Sequence, residues 1–150
     1  MCKAGGTPAR RIIFDKVGKI IEIGTIATEI KATDMEGLRI GQAKSEKGKT
    51  GVTVLLFDQP AIGGVDISGG GPASRETPLL SPLTANNPIN AVVLSGGSAY
   101  GLEASTGVMR YLEEHGIGYD TRFAKVPLVC QSCIYDLGYG DPTVRPDAQM

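Results

Sequence analysis

Asn90-Ala91-Val92-Val93-Leu94-Ser95-Gly96-Gly97-Ser98-Ala99-Tyr100-Gly101-Leu102, running on to His115 and Gly116, is the stretch that decides the fold class. Ala91 to Leu94 is an apolar run bounded by Asn90 and a glycine pair, the pattern of a short strand buried on both faces. Ser98 stands where an N-cap belongs. It precedes Ala99, Leu102, Ser105, Met109 and Leu112 at helical spacing, with Glu103, Arg110, Glu113 and Glu114 facing the other way. His115 suits the negative end of the helix dipole, and Gly116 can take the left-handed conformation that closes a helix. Strand, glycine loop and helix in succession indicate an α/β domain.

Such a loop points backbone N–H groups at one spot near a helix N-terminus, which makes Ser95, Gly96, Gly97 and Ser98 candidates for holding an anion or a developing oxyanion. A close strand-to-helix turn with no ligand would use the same glycines. Two sharper readings fail on spacing. A phosphate-binding P-loop needs Lys and Ser/Thr after its second glycine, but Gly101 is followed by Leu102 and Glu103. A nucleophile elbow needs Gly-x-Ser-x-Gly, and Tyr100 stands where the last glycine should be.

Outward from this stretch, 150 residues can bury a sizeable core. With 15 Lys+Arg against 16 Asp+Glu, the charge balance favours neither nucleic acid nor an anionic membrane as partner. The three cysteines, Cys2, Cys130 and Cys133, are odd in number and fit a reducing cytoplasm better than a secreted disulfide framework. Cys130-Gln131-Ser132-Cys133 has the form of a redox dithiol or half a zinc site, yet no second pair or histidine cluster completes a metal site. No metal or other cofactor is expected. No apolar run is long enough to span a membrane, and Asp15, Lys16 and Lys19 interrupt the residues after Arg10-Arg11, so no export signal forms.

Residues 1 to about 11 read as disordered, and Ile12 to Ile30 as one or two strands. Asp34 to Ala43 reads as a turn into a short strand, followed by a charged loop at 45–49. Thr50 to Phe57 reads as a strand ending at Asp58-Gln59-Pro60, with Ala61 to Ile67 returning beside it. Ser68-Gly69-Gly70-Gly71-Pro72-Ala73-Ser74-Arg75-Glu76-Thr77 reads as a structured loop at a site, Gly70 and Gly71 exposing backbone amides. Val126 to Leu137 reads as a strand with Gln131, Cys133 and Tyr135 on one face, opposite Cys130, Ser132 and Ile134. Residues 138–150 show no apolar periodicity. The single histidine, at a helix end, builds no Ser-His-Asp triad.

Taken together, GLRIGQA (37–43), TGVTVLL (50–56), GGVDISGGGPASRET (63–77), NAVVLSGGSAYGLEASTGVMRYLEEHGIG (90–118) and VPLVCQSCIYDLGYGD (126–141) resemble the L-aminopeptidase D-amidase/D-esterase family, the DmpA and BapA type of self-processing aminopeptidase. The resemblance runs over residues 32–141, so that 1–31 reads as an N-terminal extension and 32–150 as the N-terminal part of the domain. It implies part of a four-layered α/β/β/α sandwich, autocatalytic cleavage ahead of a serine or threonine, and a freed α-amino group as base, which removes the need for a histidine. It also implies peptide, amide or ester substrates and homo-oligomers. The family's nucleophile lies in a later part of the chain, so the catalytic residue is not expected here; this stretch is expected to act with the C-terminal remainder of the same precursor and to be inactive alone. The two glycine-rich loops are expected at the cleft, and Gln131 and Cys133 where relatives line the pocket for the substrate's amino end. A ligand-binding module that uses the two glycine loops without chemistry is the alternative, and a CxxC redox domain a third.

Overall fold

A strand forms at Ile89–Ser95, and the rest of the described chain is arranged around it. The computed structural model describes residues 31–85 and 87–150, and the compact unit they form runs from Ala32 to Met150. The expectations for residues 1–30, disorder and then strands, lie outside the described residues. The architecture is mixed α/β. Strands β1 (Leu38–Ser45), β2 (Thr50–Ala61), β3 (Ala73–Arg75), β4 (Ile89–Ser95) and β7 (Val129–Cys133) make one sheet in the order β1-β2-β4-β7-β3. Strands β5 (Tyr119–Asp120) and β6 (Lys125–Val126) form a separate ribbon. Helix α1 (Ala104–Glu114) connects β4 to the parallel β7, the crossover that parallel neighbours require.

The first hairpin differs from expectation. β2 pairs with β1, from Leu38 opposite Phe57 to Ser45 opposite Thr50, and residues 62–68 form no strand. β1 supplies eight residues across a four-residue turn, whereas the stretch after Ala61 is interrupted at once by Gly63 and Gly64. Pro60 is tolerated within β2 because β1 ends opposite Phe57 and the pairing with β4 is irregular between Leu56 and Ala61.

The core lies between the sheet and α1. Ala91 and Val93 are fully buried beneath the helix and pack with Val52, Val129, Ala104 and Leu112. On the opposite face Ile40, Leu55, Val92 and Cys130 form one row across four strands, and neighbouring Leu94 is 48% exposed. Burial on both faces of β4 therefore holds at its start, where Asn90 is buried, and is lost toward its end, where Val92 is half-buried and Leu94 exposed.

Gly97 (φ 83°) and Ser98 (φ 54°) both take left-handed conformations and turn the chain into a 3-10 segment over Ser98–Glu103 before α1 begins. Ser98 makes no capping hydrogen bond, contrary to expectation, and Ala99 is exposed. The tighter 3-10 turn rotates the side chains so that Ala104 takes the buried place that helical spacing assigns to Ala99. The C-terminus ends as read: Gly116 (φ 66°) donates to the Glu113 carbonyl at 2.9 Å and Ile117 to the Leu112 carbonyl at 2.8 Å, the paired bonds of a Schellman closure.

Residues 145–150, which carry no periodic signal, form a strap across this unit. The Arg145 guanidinium lies 3.9 Å from the Tyr100 ring centroid. Pro146 is buried against Gly97, the Ala148 carbonyl rests on Gly107, and Met150 packs on the core. The preceding turn is knotted to the β1–β2 hairpin through Asp141, which accepts from the Thr143 hydroxyl (2.6 Å) and amide (2.9 Å) and faces Lys47 Nζ at 3.0 Å. Hydrogen bonds from Thr143, then Lys47, lower the Asp141 carboxyl to about 2. A depressed folded-state pKa gives stability that is present above the unfolded value and lost as pH falls through the folded one. The Thr143 amide chemical shift is thus expected to stay constant down to about pH 4 and to move with a midpoint near 2. A midpoint at the ordinary aspartate value would contradict the knot.

Candidate functional site

The site is built where β4 ends. Strand alternation turns Ser95, Gln131 and Cys133 to the helix side of the sheet, and the parallel register sets Ser95 opposite Cys133. The buried Gln131 amide donates to Ser95 Oγ (2.9 Å) and to the Gly101 carbonyl (2.7 Å), with Cys133 Sγ at 3.5 Å. Ser95 Oγ also donates to the Gly101 carbonyl (3.2 Å) and lies 3.1 Å from Cys133 Sγ. This network ties strand β4, the 3-10 turn and strand β7 together. Gln131 Oε1 is buried without a hydrogen-bond partner. The amide orientation is set by Gly101, because a carbonyl can receive only the N–H side.

The amides that the sequence offers as an anion cradle are engaged within the protein. Gly96 N–H donates to the Gly51 carbonyl (3.0 Å), Gly97 N–H to Asp136 Oδ1 (2.7 Å) and Ser98 N–H to the Ile134 carbonyl (3.0 Å). Sequence reasoning missed Asp136. Its other oxygen accepts from Thr50 Oγ1 at 2.6 Å. A Cβ at residue 96 would collide with this carboxylate and with Thr50 Oγ1, so the glycine here serves a close approach. An aspartate three residues past a strand reads as an ordinary turn residue, and its partner lies 86 positions away. No local signal marks it.

On the opposite face of the sheet an open groove of about 910 Å³ runs beside the loop, lined by Thr50, Leu94, Ser95, Gly96, Ser132 and Asp136 among others. Ser95 and Gly96 of the expected residues reach it. Gln131 and Cys133 do not line it: they lie beneath the loop as its support, because the sheet alternation turns them under the helix. Gly70 and Gly71 are exposed, and a Cβ on either would meet nothing within 4 Å, so neither packs against the Ser95–Ser98 loop. The stretch they belong to ends in β3, where Arg75 donates to Ser105 Oγ (2.9 Å) and contacts Met109 Sδ, fastening the sheet edge to the helix.

The CxxC lies on a strand, so its two cysteines fall on opposite faces of the sheet, unlike a redox dithiol at a helix N-terminus. Burial raises both thiols, with the Glu76 charge adding at Cys130 and the Asp136 charge at Cys133. Iodoacetamide at pH 7 is expected to label Cys130 and Cys133 at least about tenfold more slowly in the folded chain than in urea. Equal rates would show that the fold does not shield the thiols, and faster labelling in the folded chain would show an activated one. Among the described residues no group of three or more His, Cys, Asp or Glu could hold a metal ion, and no helix is long and apolar enough to cross a membrane.

Residues 31–147 match the model of peptidase family S58. The chain belongs to peptidase family S58. This S58 chain is 43% identical over 126 residues to an uncharacterized aminopeptidase of Mycobacterium leprae, covering 79% of this chain and 35% of that one. It is likewise 43% identical to an uncharacterized aminopeptidase of Mycobacterium tuberculosis H37Rv, over 79% of this chain and 37% of the relative. A 6-aminohexanoate-oligomer endohydrolase of Kocuria sp. is 33% identical over 132 residues, covering 87% of this chain and 34% of that protein. The S58 chain spans about a third of the length of these curated relatives. Its family and the names of these relatives support a hydrolase function.

Proposed function

We propose that this chain is the N-terminal sheet-and-helix portion of a self-processing aminopeptidase that releases residues from the amino end of short peptides, amides, esters or linear amide oligomers by N-terminal-nucleophile chemistry. The nucleophile, a serine or threonine freed by autocatalytic cleavage, comes from polypeptide outside these 150 residues, and its own α-amino group acts as base. The working enzyme is a cytoplasmic homo-oligomer of four-layered sandwiches.

The observation that carries this reading is the open apolar face of the sheet. Ile40, Leu55 and Val92 are half-buried and Leu94 exposed, beside a buried Cys130, on strands whose other face is a closed core, and a β4 flanked on both edges calls for a covering layer. A second sheet laid there would complete the sandwich and put the groove at Ser95, Gly96 and Asp136 between the two sheets. The chemistry agrees: among the described residues His115 is the sole histidine, it lies at the exposed end of α1 with Nδ1 2.7 Å from the Tyr111 carbonyl, and Ser95 Oγ is turned inward. The alternative of a non-catalytic anion-binding module is weakened, because the Gly96, Gly97 and Ser98 amides already have partners.

The test compares this chain alone with the full product of its gene. Intact-mass spectrometry of the full product is expected to show two chains, one beginning with Ser or Thr, and turnover of aminoacyl p-nitroanilides or 6-aminohexanoate oligomers. The 150-residue chain is expected to show none. Turnover by the 150 residues alone, surviving further purification, would overturn the proposal, as would a full product that remains one chain.

A further inference from the structure

Among the described residues Asp136 is the one acidic side chain joined to the glycine loop, and three observations give it a role in the site. Its two oxygens are each taken by a neutral donor on a different segment, the Thr50 hydroxyl at the head of β2 and the Gly97 amide after β4. Among the described residues it makes no ion pair, so its charge is spent on strengthening these two hydrogen bonds. The loop residue it holds, Gly97, leads straight into the strained one: Gly97 and Ser98 are consecutive left-handed residues, and a serine, unlike a glycine, keeps that conformation only where its surroundings impose it.

We infer that Asp136 is a positioning residue, a clamp that sets the Ser95–Ser98 loop against the groove without touching substrate. This rests on the hydrolase reading given above and names a residue that acts through the loop. The side chain introduced by Asp136→Asn could keep both links, its carbonyl accepting from Gly97 and its amide donating to Thr50 Oγ1, whereas alanine keeps neither.

The experiment uses the full gene product as wild type, Asp136→Asn and Asp136→Ala, assayed with whichever aminoacyl p-nitroanilide the wild type hydrolyses, each rate scaled to the folded fraction. With a loop moved by about 1 Å, kcat of Asp136→Ala is expected to fall about 30- to 100-fold with KM within about threefold, and kcat of Asp136→Asn at most about threefold. Loss in Asp136→Asn equal to that in alanine would overturn the inference by showing that a side chain able to make both links does not restore the rate. So would a rise in KM at unchanged kcat, the mark of a substrate contact, or a wild-type kcat per folded molecule in Asp136→Ala, the mark of a fold role only. Should Asp136→Ala not fold, Thr50→Val removes one link; a kcat below that of Asp136→Asn with KM within about threefold of wild type supports the clamp, and wild-type kcat overturns it. If the wild type hydrolyses nothing, the hydrolase reading falls separately, and hydrogen exchange at the Gly97 amide decides the clamp: fast exchange in Asp136→Ala or Thr50→Val with protection in Asp136→Asn supports it, and equal protection in all overturns it.

Discussion

Gly101→Ala is expected to cost the fold about 3 kcal/mol, measured as a drop in the urea midpoint at unchanged slope. A Cβ on Gly101 would run into the backbone carbonyl of Gly96, with Ser95 Oγ at 3.0 Å on the other side. Neither obstacle yields easily. Gly96 is held by its N–H to the Gly51 carbonyl and by the Asp136 carboxylate behind it, so its peptide has nowhere to retreat. Moving Gly101 instead would pull its carbonyl away from Ser95 Oγ and from the Gln131 amide, leaving buried donors unsatisfied. Gly138→Ala serves as the comparison, because a Cβ there meets nothing within 4 Å, and it is expected to shift stability by less than about 0.5 kcal/mol. Equal midpoints for the two variants would show that the loop is looser than described.

Leu112→Ala is the second large effect, with an expected loss of about 2–5 kcal/mol in the same titration. Leu112 is 1% exposed and inserts from α1 into the cluster of Val52, Ala91, Val93, Ala104 and Val129. Among the described residues α1 is the sole α-helix on this face of the sheet, so no second helix can close over the void. Val108→Ala, one turn earlier and only half-buried, should lose less than half as much. A Leu112 variant no worse than the Val108 variant would mean that the helix does not seat on the sheet through this face.

The local grammar of the chain was legible where structure is set by neighbouring residues. Strand β4, the glycine loop, the Gly116 closure and the facing of Gln131 and Cys133 away from Cys130 and Ser132 all follow from alternation, helical spacing or a glycine's freedom at one turn. The partner of β2 was not legible, because a run that can pair with either neighbour in sequence takes the one whose turn and length close the longer ladder. The candidate site was legible by half. Ser95, Gly96, Gly97, Gln131 and Cys133 meet in one cluster, yet Gln131 and Cys133 support the loop from beneath, and Gly70 and Gly71 lie in open solvent.

The sequence by itself determined that this is an α/β chain with a strand, a glycine loop and a helix in succession, and the blocks of residues that carry its family resemblance. The tertiary structure alone decided that the loop's amides turn inward, that Asp136 and Thr50 clamp it across 86 positions, and that residues 145–150 strap over Gly97 and Gly107. The physical reason is range. Periodicity and turn chemistry act over a few residues, whereas a carboxylate filling the space left by one glycine, or a proline resting on another, depends on contacts that exist only after the sheet has brought distant segments together.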